Sequence, residues 1–184
     1  LKQHNLSKDK AALATWGAIS LFDGTGTGLP ILEDLAGAPP DVVIAGENHK
    51  EYRPVIMEKH GYASGDKPAW QVTKRYGPGL YVEDVRDLVR DKAVRIREFI
   101  ALLNSAAEKK PHRKKKSRKI AIIAGSPCQD LTVMSQEEGA LGLTGPASFH
   151  WHIIQIILAV IQILDPTIAV YLIIENAGSM KCGR

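Results

Sequence analysis

One of the two cysteines in the chain stands where a thiol could act as a nucleophile. Cys128 lies in Gly-Ser-Pro-Cys-Gln at residues 125–129, directly after the apolar run 120–123. A turn shaped by glycine and proline at the end of a strand holds a side chain on an exposed loop, where a substrate can reach the thiolate. A lone cysteine is more commonly an inert small hydrophobic residue, so this motif alone leaves both interpretations open.

A glycine-rich turn near the N-terminus is typical of a loop that binds a nucleotide-like ligand. It has the sequence Phe-Asp-Gly-Thr-Gly-Thr-Gly at residues 22–28, after an apolar run. Glycine lets the backbone approach a ligand closely, and the start of the following helix supplies N–H groups. Many unrelated sites share such a loop. Glu47, at the end of the next apolar run, suits ribose hydroxyls but equally fits a surface acid at a strand end.

A third pair of polar residues ends the last apolar run. Glu175 and Asn176 follow Leu-Ile-Ile at residues 172–174. A carboxyl group in apolar surroundings has a raised pKa and can hold a proton to donate or share. The alternative is a strand-terminal acid that faces water.

These motifs lie at the ends of short apolar runs that alternate with segments of helical period. The alternation favours an α/β Rossmann-like fold, a mostly parallel sheet with helices on both faces. The predicted strands are residues 16–22, 42–47, 80–83, 120–125 and 168–174. The predicted helices are residues 28–35, 49–59, 91–108 and 148–164, with long loops at 61–79 and 125–145. Because ligands collect at the carboxyl ends of parallel strands, the chemistry-bearing loops should lie at one edge of the sheet.

Composition fits one globular domain over residues 1–184, with 45% hydrophobic and 24% charged residues. The formal net charge is +4, yet residues 109–119 contain eight Lys or Arg and no acid. This basic run is either a solvated loop or a non-specific phosphate contact, since clustered cations release counterions from nucleic acid.

The remaining composition limits location and metal binding. Two cysteines give no disulfide framework and no zinc spacing, and the six histidines show no ligand spacing, so we expect an intracellular protein without a metal site. It would be nuclear in a eukaryote and cytoplasmic in a bacterium or virus. The apolar stretch 151–174 is interrupted by Asp165-Pro166, which predicts a buried helix and a buried strand and no membrane contact. The start without Met and the abrupt end at Arg184 suggest a fragment.

Together, the motifs resemble those of the DNA (cytosine-5) methyltransferase family. The glycine-rich turn is similar to the family's first motif, closest to the Phe-Asp-Gly form of the de novo animal enzymes, and Glu47 matches its ribose-binding acid. Asp84 matches the acid that meets the adenine amino group. Pro-Cys-Gln at residues 127–129 resembles the nucleophile motif, and Glu175-Asn176 resembles Glu-Asn-Val, with Ala177 in place of Val.

The resemblance implies a fold of the S-adenosylmethionine-dependent methyltransferase type, truncated after the fifth strand. It implies methyl transfer from S-adenosylmethionine to carbon 5 of cytosine in DNA, with S-adenosylhomocysteine as product. Cys128 would add to carbon 6 of a flipped base, and Glu175 would hydrogen bond to the ring. The loop 129–144, with Gly139, Gly142 and Gly145 as hinges, would close over the site.

Three groups of site residues follow from the resemblance. The catalytic group is Cys128, Glu175, Gln129 and Asn176. The cofactor group lines the loops at the ends of the strands and comprises Phe22, Asp23, Gly24, Thr25, Gly26, Thr27, Gly28, Glu47, Asp84, Val85, Gly125 and Pro127. The nucleic-acid group comprises Ser126, Arg113, Lys114, Lys115, Lys116 and Arg118. His150 and His152 are interpreted as ordinary helix positions.

Segments that follow the Glu-Asn motif in the family are absent from this sequence: Gln-x-Arg-x-Arg, the target recognition region and a final helix. The resemblance therefore implies that a second chain or a further C-terminal region supplies target recognition. Two alternatives remain. One is a non-catalytic, methyltransferase-like module for DNA binding or assembly, and the other is a tRNA cytosine methyltransferase.

Overall fold

The computed structural model describes residues 15–22, 24–62, 69–110, 117–125 and 149–175. Within these ranges the chain forms six strands and four α-helices, with a 3-10 turn at Val85–Leu88. In chain order the elements are β1 (Thr15–Leu21), α1 (Gly28–Ala36), β2 (Val42–Gly46), α2 (Arg53–His60), β3 (Gln71–Val72), β4 (Pro78–Val82), α3 (Arg90–Glu108), β5 (Arg118–Gly125), α4 (Phe149–Leu164) and β6 (Ala169–Glu175).

The strands form one sheet in the order β3-β4-β2-β1-β5-β6. Every pairing is parallel except that of β3 with β4. The predicted α/β class with a mostly parallel sheet is confirmed, and the arrangement is compatible with a Rossmann-like fold. The strand order reverses at β1, which pairs with β2 on one side and with β5 on the other. Such a reversal opens a crevice at the carboxyl ends of the central strands, where ligands bind in folds of this class.

Two apolar clusters pack against opposite faces of the sheet. Helices α3 and α4 cover the face that carries Ile19 and Leu21 of β1. Helices α1 and α2 cover the face that carries Trp16 and Ala18. Successive side chains of a strand point to opposite faces, so a strand covered on both sides must be apolar throughout, as β2 is.

Two element boundaries differ from the prediction. Helix α2 begins at Arg53, after a turn, because Pro54 is accommodated in the first helical turn and lacks the N–H that a longer helix would need there. The predicted loop 61–79 contains β3 and the start of β4. The prediction of five strands was therefore wrong by one, since a two-residue strand that pairs with Pro78 and Gly79 has no detectable period.

Helix α3 contains a kink near its start. Asp91, Lys92 and Ala93 have left-handed backbone with φ of 49°, 59° and 56°. Left-handed residues interrupt the regular hydrogen-bond ladder. The Arg97 Nε donates to the Lys92 carbonyl at 3.0 Å and so satisfies one of the affected groups.

The C-terminal helix and strand are less buried than predicted. Helix α4 buries a stripe of isoleucines, but Ile163 is 80% exposed. Tyr171, Leu172, Ile173 and Ile174 of β6 are all exposed, so the prediction of a buried strand is wrong. The reason is that β6 is an edge strand, with only β5 beside it among the described residues. None of the helices in the described ranges is long and apolar enough to span a membrane.

Candidate functional site

The glycine-rich loop joins β1 to α1 across the end of β2. The Phe22 N–H donates to the Gly46 carbonyl at 2.7 Å, which anchors the loop to β2. Phe22 has a φ of 57°, and Gly24 and Gly26 have φ of 52° and 72°. A phenylalanine in this region is strained, and such residues are found preferentially at functional sites. The loop leads into the first turn of α1. The side chain of Thr27, the N-cap residue, makes no capping hydrogen bond to this turn within the described residues. Asp23 lies outside the described residues.

Glu47 lies under this loop and is 4% exposed. Its Oε2 accepts a hydrogen bond from the Gly24 N–H at 2.8 Å, and its Oε1 accepts one from the His49 N–H at 2.8 Å. The alternative of an exposed surface acid is therefore wrong for Glu47. A carboxylate offers about four acceptor positions, so each oxygen can accept a further hydrogen bond from a ligand hydroxyl. The role in ribose binding stays a prediction.

Tyr81 of β4 contacts Glu47, and no sequence motif predicted that it would belong to the site. The Tyr81 hydroxyl donates to the Glu47 carbonyl at 2.8 Å. Burial raises the pKa of Tyr81 to about 12, with Arg53 opposing the change and Glu47 adding to it. Arg53 lies 6.0 Å from the ring centroid and forms an ion pair with Glu83. The phenol therefore stays protonated and remains a donor at neutral pH.

Asp84 and Val85 follow β4 and have different environments. Asp84 accepts from the Arg86 backbone N–H at 2.9 Å and from the Arg86 Nε at 2.8 Å. The side-chain hydrogen bond from Arg86 is the main cause of a lowered Asp84 pKa, and burial opposes it. Val85 is buried in the core. Asp84 is thus charged and partly committed to capping the 3-10 turn, and any adenine contact would share its oxygens with Arg86.

The nucleophile motif begins where β5 ends. Gly125 pairs in register with Glu175 of β6. A Cβ built on Gly125 would lie 3.2 Å from the Phe22 carbonyl oxygen and 3.5 Å from the Glu175 Oε2. Gly125 therefore lies between the glycine-rich loop and the Glu175 carboxyl group. The predicted site residues that follow Gly125 and Glu175 lie outside the described residues: Ser126, Pro127, Cys128, Gln129 and Asn176.

The environment of Glu175 differs from the prediction. The residue is exposed, so the expected apolar surroundings of its carboxyl group are wrong, and the alternative of a strand-terminal acid facing water fits. The cause is the open edge beside β6. Above this edge, the first turn of α4 approaches the glycine-rich loop, with the His150 ring edge-on to the Phe22 ring at a centroid distance of 4.8 Å.

The basic run reaches β5 at Arg118, at the opposite end of that strand from Gly125. It joins the end of α3 to the start of β5, and Arg113, Lys114, Lys115 and Lys116 lie outside the described residues. Its two ends make internal contacts. The Lys110 Nζ lies 2.7 Å from an oxygen of Asp41, and Arg118 pairs with Asp165 at 2.6 Å. The eight residues of β5 place Arg118 about 23 Å from Gly125.

His60 is a second residue of the site region that sequence reasoning did not identify. It ends α2 directly beneath the glycine-rich loop and is completely buried. In sequence it is an unremarkable histidine in a helix of mixed composition. Only the folded chain brings it against Gly26.

No protein-family model matches the chain, and no curated protein is similar to it at a significant level. The functional conclusion therefore depends on the motif residues and on their arrangement at the carboxyl edge of the sheet.

Proposed function

We propose that the chain is the cofactor-binding and nucleophile-bearing part of a DNA (cytosine-5) methyltransferase, with the fold of S-adenosylmethionine-dependent methyltransferases. The single observation that carries this proposal is the position of Gly125. The backbone that leads to Cys128 lies within contact distance of both the glycine-rich loop and Glu175. Gly125, the glycine-rich loop and Glu175 are far apart in sequence and lie together at the carboxyl edge of the sheet, which supports the proposal.

The cofactor half of the proposal is supported by the loop and its acid. S-adenosylmethionine carries a ribose and an adenine and supplies the methyl group when bound. Glu47, held by backbone N–H groups of Gly24 and His49, would accept the ribose hydroxyls. Asp84 would accept from the adenine amino group. The buried Glu47 carboxylate and the positive-φ loop fit such a ligand, because both place acceptors and close backbone at the strand ends.

The chemistry of the proposal follows from the weak nucleophilicity of cytosine carbon 5. The Cys128 thiolate adds to carbon 6, which places electron density on carbon 5 and lets it take the methyl group. Loss of the carbon 5 proton then re-forms the double bond and expels the thiolate. Glu175 would hydrogen bond to the ring nitrogen and the exocyclic amine. Its exposed carboxyl group is accessible to a base that has been flipped out of the duplex.

A trapping experiment tests this proposal. Full-length protein is incubated with labelled S-adenosylmethionine and DNA containing 5-fluorocytosine, which has no carbon 5 proton to lose. We expect a covalent adduct that peptide mass spectrometry assigns to Cys128. Cys128→Ser should form none and retain cofactor binding, whereas Cys182→Ser should behave as wild type. Absence of an adduct in wild-type protein that binds the cofactor would refute the catalytic proposal.

The exposure of Glu175 favours one second candidate, a non-catalytic methyltransferase-like module for DNA binding or assembly. In this candidate the open β6 edge belongs to an assembly surface. Calorimetry separates the two, because a full-length protein without affinity for S-adenosylmethionine would support the second. Methylation assays with DNA and tRNA side by side distinguish the DNA enzyme from the tRNA alternative.

A further inference from the structure

Helix α2 packs directly beneath the glycine-rich loop. Ile56 and His60 lie beneath Gly26, where a Cβ would be 3.2 Å from the Ile56 Cγ1 and 2.9 Å from the His60 Nε2. From the same helix, the Lys59 Nζ donates to the Thr25 carbonyl at 3.3 Å. Three contacts from the last two turns of one helix, made by Ile56, Lys59 and His60, therefore limit how closely the loop can approach the sheet.

His60 is the unusual residue among these three contacts. It has no exposed surface, and neither ring nitrogen makes a hydrogen bond of normal geometry with the described residues. Its ring packs against Tyr62 at a centroid distance of 6.4 Å and against Tyr76 at 5.7 Å. Buried polar atoms without partners are rare because they lose their bonds to water. A phenylalanine would fill this volume without the free-energy cost of burying two polar atoms. The presence of histidine here therefore suggests a role for its ring nitrogens.

The charge state of the ring is set by its surroundings. Burial lowers the pKa of His60 to about 4, and the cations Lys59 and Arg75 lower it further. The Gly26 backbone raises the pKa of His60, which opposes these causes. The His60 Nε2 lies beside that glycine, 2.9 Å from the position that a Cβ would take. The groups that face His60 are thus Lys59 of its own helix, Arg75 of the turn before β4, the two tyrosines and Gly26. At neutral pH the imidazole is uncharged, with one donor and one acceptor.

We propose that His60 is a positioning residue, whose uncharged ring holds Gly26 and thereby keeps the glycine-rich loop in the conformation that receives the cofactor. The ring nitrogen beside Gly26 provides a hydrogen-bonding group that the loop backbone reaches by a small displacement, both before and after the ligand binds. His60 touches neither substrate nor reacting atoms. The inference rests on the proposed function only in naming S-adenosylmethionine as the ligand.

The test compares His60→Phe with wild type in the full chain, using S-adenosylhomocysteine as the probe. Phenylalanine preserves the aromatic volume and removes both nitrogens. We expect the dissociation constant measured by calorimetry to rise about tenfold, the equivalent of one hydrogen bond, with Tm unchanged or raised. His60→Gln, which restores an amide in the same space, should recover part of the affinity. His152→Phe, at an exposed position of α4, should bind as wild type.

Two outcomes would overturn the inference. One is wild-type affinity in His60→Phe. The other is a loss of Tm without any change in affinity at temperatures well below unfolding, because a merely structural residue would behave in that way. If His60→Phe does not fold, His60→Gln alone decides between these outcomes.

A second readout separates this inference from the proposed function. Amide hydrogen exchange of residues 24–28 in the ligand-free protein should be faster in His60→Phe than in wild type, because the loop loses its support. If wild-type protein does not bind the probe, the proposed function fails, and the exchange rates still decide the inference. Equal rates in the two proteins would then exclude a positioning role.

Discussion

Glu47 and Glu175 both lie at the carboxyl ends of parallel strands in the same sheet, but their environments are opposite. Glu47 is buried, accepts two backbone hydrogen bonds, and has Tyr81 bonded to its carbonyl. Glu175 is exposed on an edge strand whose apolar side chains also face outward. The Glu47 end of the sheet edge is thus completed by contacts within the described chain. At the Glu175 end, only β5 lies beside β6 among the described residues.

The largest expected difference between the two sides is in stability. Glu47→Ala would leave the Gly24 and His49 N–H groups without their acceptor, at a cost of about 4 kcal/mol in the free energy of unfolding. Glu175→Ala should change that free energy by less than about 0.5 kcal/mol, because the side chain is exposed. Urea denaturation of both variants measures the contrast. Equal decreases in the free energy of unfolding of the two variants would contradict the expected difference between Glu47 and Glu175.

The free energy of unfolding should also depend on pH, because His60 is buried beneath the glycine-rich loop. The pKa of His60 is lowered from 6.5 to about 4, so the unfolded chain takes up a proton before the folded chain does. Stability from this group is complete above pH 6.5 and decreases as the pH falls towards 4, by about 3 kcal/mol in total. Denaturation of wild type and His60→Phe between pH 4 and 7.5 isolates the effect. The two curves should diverge as the pH falls, because only wild type loses stability from this group, and parallel curves would contradict the assignment.

The loop itself offers a matched pair of glycines. Gly26→Ala adds a Cβ at positive φ and against the His60 Nε2, whereas Gly24→Ala adds one at positive φ with no atom within 4 Å. Left-handed strain costs about 1 kcal/mol at either position, and the clash at Gly26 should add about as much again. Thermal unfolding ranks the two variants. A larger loss at Gly24 would show that the loop is not supported from α2.

The sequence predicts the strands and loops that carry the site better than it predicts the environments of the site's side chains. Alternating apolar runs located β2 and the loop after β1, so the position of Glu47 at a strand end was accessible. The burial of Glu47 could not be predicted from the sequence, because Tyr81 and Gly24 contact it from elements that are distant in sequence. His60 was missed for the same reason, since Gly26 and Tyr76 surround it only after folding. The exposure of Glu175 depends on which strand occupies the edge, and local periodicity does not encode strand order.

The smallest expected effect compares two cations of the basic run, Lys114 and Arg118. Lys114→Gln should reduce the slope of log affinity for DNA against log salt by about 0.9, if the basic run contacts phosphate. Arg118 is held by Asp165 and by hydrogen bonds to Thr167 and Asn104, so Arg118→Gln should leave that slope unchanged. Equal reductions would restore Arg118 to the nucleic-acid group predicted from the sequence. An unchanged slope in both variants would remove the basic run from DNA binding. Because Arg118 lies about 23 Å from Gly125, Arg118→Gln should not alter adduct formation at saturating DNA.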